Sequence, residues 1–296
     1  MPENRRIAQI IKSQPTLEGA GVHLKRVFGF GNTDLFDPFL LLDDFRSANP
    51  AHYLKGFPWH PHRGIETITY MIDGQVEHGD SMGNSGIISA GDVQWMTAGS
   101  GIVHQEMPTG DEKGRMGGFQ LWANLPAKDK MTRPRYRDVT QDQIPEVVLE
   151  NGTAIRIICG RAYGKQGPVQ DIFIDPTYLD VRVPAGQVFR HTTQTGHAVF
   201  AYVIDGQGFF GPDATGSDSH DQDIFSADII SNESLVLFDD GDEVAVSTRN
   251  EGIRFLMISG RPIREPVAWQ GPIVMNTREE LRIAFEEYQV GTFIKE

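Results

Sequence analysis

The sequence predicts an all-β protein: two tandem domains with one short helix at the C-terminal end. Three observations predict it. The apolar runs are short and stop at Gly, Pro, Asn or Asp, as strands joined by turns do. Glycine (32) and proline (17) are abundant among the 296 residues, which suits many turns better than long helices. A phrase also recurs: Tyr70–Gly74 reads YMIDG and Tyr202–Gly206 reads YVIDG, the mark of an internal duplication.

In the first half, Pro38–Asp44, Ile65–Asp73, Asp92–Met96 and Gly118–Asn124 have the length and bounding residues of strands. The charge-rich stretch Ala127 to Gln143 reads as an inter-domain connection. Two domains follow, 1–140 and 141–296. In the second half the strand candidates are Thr153–Gly160, Ile172–Pro176, Tyr178–Val183, Ala198–Ile204 and Leu235–Asp239. Between the last two, Gly211–Ala227 is acidic and rich in small residues, an exposed loop whose His220 is solvated rather than a ligand. Near the end, Asn276 or Thr277 caps a helix, with Glu280 completing a capping box with Thr277. Leu281, Ala284, Phe285 and Tyr288 then repeat at helical spacing, and Gly291 stops the pattern.

Composition narrows the function classes. A net charge of -13, from 40 acidic and 27 basic residues, repels phosphate backbones and anionic membranes. Direct nucleic-acid or membrane binding is therefore not expected. The single cysteine, Cys159, cannot form an internal disulfide and ends the apolar run Ala154–Cys159, where a buried thiol is expected. The segment MPENRRIAQIIKSQ has no long apolar stretch, so neither a signal peptide nor a membrane span is expected there. The expected compartment is the cytoplasm, or the nucleus in a eukaryote. Duplication gives each barrel a neighbour in its own chain, so a monomer is expected.

The chemistry is concentrated in two stretches. In GFPWHPHRGIETITYMIDG, His60 and His62 are two apart, so on a strand both imidazoles project from one face. Glu66 shares that parity. In GDVQWMTAGSGIVHQEM, His104 and Glu106 are again two apart. A barrel that brings the pairs together surrounds a cation with three imidazoles and a carboxylate. Such N/O donors suit Fe(II), Mn(II), Ni(II), Cu(II) or Zn(II), and octahedral geometry leaves two positions open.

The spacing G-x3-HxH-x3-E-x7-G resembles the first cupin motif, and GD…TAGSGIVHQE resembles the second. More narrowly, HPHRGIETITYMIDG, GDVQWMTAGSGIVHQEMP and EPVAWQGPIVMNTREELRIAFEEYQVGTF resemble the pirin family over nearly the whole chain. That resemblance implies two tandem cupin barrels of the double-stranded β-helix, or jelly-roll, kind. It implies one iron ion in the N-terminal barrel, held by His60, His62, His104 and Glu106. Glu66, a ligand position in the wider cupin family, is then expected to orient a ligand or water. The second barrel departs from the pattern, since His191 and His197 are six apart and no HxH occurs.

The activity implied is a quercetinase-like dioxygenase that cleaves flavonols with O2 and releases carbon monoxide. Glu106 is the candidate base, and Phe57, Trp59, Trp95, Met96, Gln120 and Trp122 are candidates for an apolar pocket. The alternative is a redox-responsive regulatory protein that binds a transcription factor or metabolic enzyme through its Fe(II)/Fe(III) state. Room beside the metal distinguishes the two, because an enzyme needs it and a sensor does not.

Overall fold

The computed structural model describes residues 3–212 and 229–295. His220 and most of the expected loop Gly211–Ala227 lie outside the described residues. Strands dominate, and the described α-helices are Thr33–Phe36 and Arg278–Gln289. No described helix is long and apolar enough to cross a membrane.

Contacts divide the chain into two compact units: Gln14–Gln143 with Ile263–Glu296, and Met1–Ser13 with Ile144–Pro262. The chain ends are thus exchanged. Residues 263–296 complete the unit built from the first half, and residues 1–13 complete the other. The linear division at 1–140 and 141–296 does not contain this exchange, because local patterns carry no sign of which distant segment completes a sheet.

The unit that carries His60 contains two large antiparallel sheets and a two-stranded ribbon, Ala268–Gln270 paired with Ile273–Met275. The larger runs Arg135–Val139, Val93–Thr97, Ile65–Asp73, Gly117–Asn124, Phe39–Asp44, Val22–Phe28, Gln14–Glu18 in spatial order. The smaller runs Phe57–His62, Ile102–Thr109, Gln75–Asp80, Ser85–Ser89. Strand Ile65–Asp73 has neighbours on both edges and is buried on both faces as far as Met71. Glu66, Ile68 and Tyr70 project from one face, Thr67, Thr69 and Met71 from the other.

Part of the expected connection Ala127–Gln143 belongs to this unit's interior. Arg135–Val139 is the edge strand of the larger sheet. Lys130 is 1% exposed, and its ammonium donates to Gly64 O (2.9 Å), Asn124 Oδ1 (2.7 Å) and Val274 O (3.0 Å). Three N–H donors meet three acceptors, which is what allows a charge so far inside. Burial pulls its pKa down to about 7.

In the other unit, Ile7–Lys12 adds an edge strand against Ser234–Phe238. Arg5, 1% exposed, anchors it by donating to Thr193 Oγ1 (2.7 Å), Gln194 O (2.7 Å) and Asp239 O (2.8 Å). This unit's core is apolar, built around Phe189, Phe210, Phe255 and Leu179. Ile172–Pro176 is not a strand. Asp171 and Asp175 both have positive φ (57° and 49°), so the chain turns there before strand Thr177–Val183 begins. The C-terminal helix starts as expected, with Thr277 Oγ1 accepting from Glu280 N–H (3.2 Å) and Glu280 Oε2 accepting from Thr277 N–H (2.8 Å).

Candidate metal centre

Strands Phe57–His62 and Ile102–Thr109 pair antiparallel, with His104 opposite His60 and Ile102 opposite His62. One face of the small sheet therefore gathers three imidazoles. His60 Nε2 lies 3.1 Å from His62 Nε2 and 3.0 Å from His104 Nε2. The outer nitrogens of two rings face carbonyls: His60 Nδ1 is 2.9 Å from Pro58 O, and His62 Nδ1 is 3.2 Å from Pro272 O. A carbonyl oxygen only accepts, so each Nδ1 carries the proton and each Nε2 turns a lone pair inward.

Lone pairs converging at this distance repel unless a cation lies between them. The spacing also fits one. Ligands about 2.1 Å from a metal lie about 3.0 Å apart at right angles, and about 3.4 Å apart in a tetrahedron. The two separations from His60, 3.1 and 3.0 Å, match the first of these spacings. His62 and His104 are 2% and 1% exposed. Burial lowers all three imidazole pKa values, those of His62 and His104 to well below the ordinary 6.5. All three are thus neutral near pH 7, the form that binds metals.

Glu106 stands apart from this cluster. The three histidines group within 4.8 Å of one another, without a carboxylate. The pairing register slips between His104 and Glu106, leaving Glu106 opposite Phe57. Its carboxylate sits 3.5 Å from Thr69 Oγ1, which donates at 2.7 Å to Gln120 Oε1. With His60 and His62 it lines a cavity of about 690 Å³. Burial pushes its pKa from the ordinary 4.5 up to about 7.

A carboxyl whose pKa rises on folding stabilises the folded state fully below pH 4.5 and loses that contribution as pH rises through 7. In the metal-free protein the loss is about 3 kcal/mol. Glu106→Gln is expected to match the parent near pH 4.5 and to exceed it progressively toward pH 8 in urea unfolding. Parallel stability curves would contradict this.

Of the expected pocket residues, Phe57, Gln120 and Trp122 line the cavity. Trp59, Trp95 and Met96 do not. Trp59 alternates with His60 along its strand and is 53% exposed on the opposite face. Phe57 returns to the cavity side because of the register slip. Met96 packs in a cluster with Leu40, Ile65 and Ala98.

Glu66 is engaged elsewhere. Its carboxylate accepts from Trp95 Nε1 (3.1 Å) and Thr97 Oγ1 (2.6 Å), on the face of strand Ile65–Asp73 away from Thr69 and Gln120. Parity counted from His62 fails because Gly64 (φ 78°) interrupts the strand. Sequence reasoning missed Phe30, Trp269 and Pro272, which complete the cavity wall. Trp122 stands perpendicular to His62 with centroids 5.1 Å apart, Trp269 lies 5.9 Å beyond, and Phe30 is 5.7 Å from Trp269.

A tandem pair of β-barrels, one carrying a histidine triad that could hold a metal ion, defines a two-cupin protein. The chain belongs to the pirin family: the family pattern for pirin matches residues 21–123, and that for the pirin C-terminal cupin domain matches residues 178–294. It is 43% identical to a pirin-like protein of Caulobacter vibrioides over 290 residues, covering 98% of this chain and 99% of that one. Human pirin is 35% identical over 292 residues, covering 98% and 94%. Among solved structures, quercetin 2,3-dioxygenase from Acinetobacter baumannii superposes with a TM-score of 0.86 at 28% identity, covering 98% and 99%.

Proposed function

We propose that this pirin-family protein is a metal-dependent dioxygenase of the quercetinase type, acting on flavonols such as quercetin with O2. One observation carries the reading: the histidine cluster opens into a cavity of about 690 Å³ walled by Phe57, Trp122 and Trp269. That volume lies in the range of small-molecule sites, and aromatic walls suit a planar ring system. A redox-responsive binding protein has no need of such room. The similarity to the Acinetobacter dioxygenase points the same way.

His60, His62 and His104 would hold the ion, and Glu106 is the candidate fourth ligand. Iron(II) is the ion expected from the resemblance, and the donor set also suits manganese, nickel, copper or zinc. When bound, the ion supplies Lewis acidity and, for iron, one-electron chemistry toward O2. The chain's residues do the rest. The Trp122 and Trp269 rings offer faces for a flat substrate. Glu106 would accept the proton of the flavonol 3-hydroxyl, and Thr69 and Gln120 lie on that carboxylate's side of the cavity. The test is consumption of quercetin with release of carbon monoxide by the Fe(II)-loaded chain, and its loss in His104→Ala.

A further inference from the structure

Arg63 follows the ligand His62 and is 2% exposed, among the largest fully buried side chains. Its guanidinium donates to three separate parts of the chain. Nε reaches Ser100 O (2.7 Å), in the turn that leads into strand Ile102–Thr109. Nη1 reaches Glu287 Oε2 (2.7 Å), on the C-terminal helix. Nη2 reaches Phe293 O (2.7 Å), just beyond that helix, and the Phe293 ring lies 4.2 Å from the guanidinium carbon.

The same tail touches the ligand strand twice more. Val274 N–H donates to Arg63 O (3.1 Å), and His62 Nδ1 donates to Pro272 O. Glu287 is itself held by Lys295 at 2.7 Å.

We propose that Arg63 and Glu287 form a positioning clasp through which the C-terminal helix sets the metal affinity of the three histidines, an inference that rests on the metal reading above. A planar guanidinium fixes the relative places of all three segments it bonds. Arg63 itself adjoins His62, Ser100 leads into the strand of His104, and the tail that holds Glu287 and Phe293 also carries Pro272, whose carbonyl orients His62. Metal ligands must be held to within about 0.5 Å to bind well, so loosening any of the three lowers affinity. The coupling is reciprocal: whatever factor the docked helix adds to metal affinity, the metal adds to helix docking. Loss of a purely structural Arg63–Glu287 pair would lower the melting temperature without this exchange.

The test uses the full chain with zinc(II) as a redox-inert probe. Affinity is measured by competition with a chromophoric chelator, and amide hydrogen exchange is followed across Arg278–Gln289. Glu287→Gln is expected to weaken zinc binding about 10-fold and Arg63→Lys between about 10- and 100-fold, the range for groups that orient a ligand. In the parent chain zinc is expected to slow exchange in the helix, and in Glu287→Gln to slow it less. Should Arg63→Lys not fold, the partly exposed Glu287 still gives both readings. Zinc affinity unchanged in Glu287→Gln, or helix exchange indifferent to zinc, overturns the clasp and leaves the metal reading standing. A parent chain that binds no zinc overturns both.

Discussion

Replacing His62 or His104 with alanine is expected to lower affinity for a divalent metal by at least about 100-fold. Loss of a group that merely orients a ligand costs about 10- to 100-fold, and removing a ligand removes more. Each of these rings sets its Nε2 close to that of His60, at 3.1 and 3.0 Å. The variants are still expected to fold, since two strong sheets carry the barrel without the ion. In the metal-free chain His62→Ala also relieves the crowding of its inward lone pair against that of His60. Metal content after anaerobic loading and dialysis checks this, with circular dichroism to confirm the fold. A folded His62→Ala that retains parent affinity would contradict the site.

Gly64→Ala is expected to destabilise the protein by about 4 kcal/mol, near the upper end for single substitutions. Gly64 has φ 78°, and a Cβ there would lie 1.9 Å from Val274 O. A left-handed non-glycine residue costs about 1–2 kcal/mol. The larger part comes from Val274, whose carbonyl also accepts from buried Lys130 and cannot move without leaving that ammonium underpaired. The melting temperature should fall by about 10 °C, and metal affinity should fall with it because His62 is two residues away. Gly83 (φ 86°) has nothing within 4 Å of its would-be Cβ, so Gly83→Ala isolates the backbone cost at about 1–2 kcal/mol. Equal melting temperatures for the two variants would remove this account of the Gly64 turn.

Much of the site was legible in the sequence because it is local. Two-residue spacing on one strand fixed which face His60 and His62 share, and the capping box marked the helix start at Thr277. Parity works only while the strand is unbroken. At Gly64 the chain turns through a conformation that carries no alternation, so counting on to Glu66 put its carboxylate on the wrong face. The slip between His104 and Glu106 acts in the same way on Phe57.

Other features depend on distant partners. Pro272 meets His62 across 210 residues, and Trp269 joins the cavity wall from the same tail. Lys130 reads as a loop charge until three acceptors converge on it. Nothing near these residues in sequence announces the contact, because what selects them is the unsatisfied polar group or open wall they complete.

The central claim is that the histidine cluster and its cavity form a flavonol-cleaving centre. The most direct test loads the purified chain with Fe(II) without oxygen, adds quercetin and then air, and follows the flavonol absorbance together with released carbon monoxide. The account predicts catalytic loss of quercetin with one carbon monoxide per flavonol, abolished in His104→Ala and strongly reduced in Glu106→Ala. Stoichiometric iron in the parent chain with no quercetin consumed would contradict it.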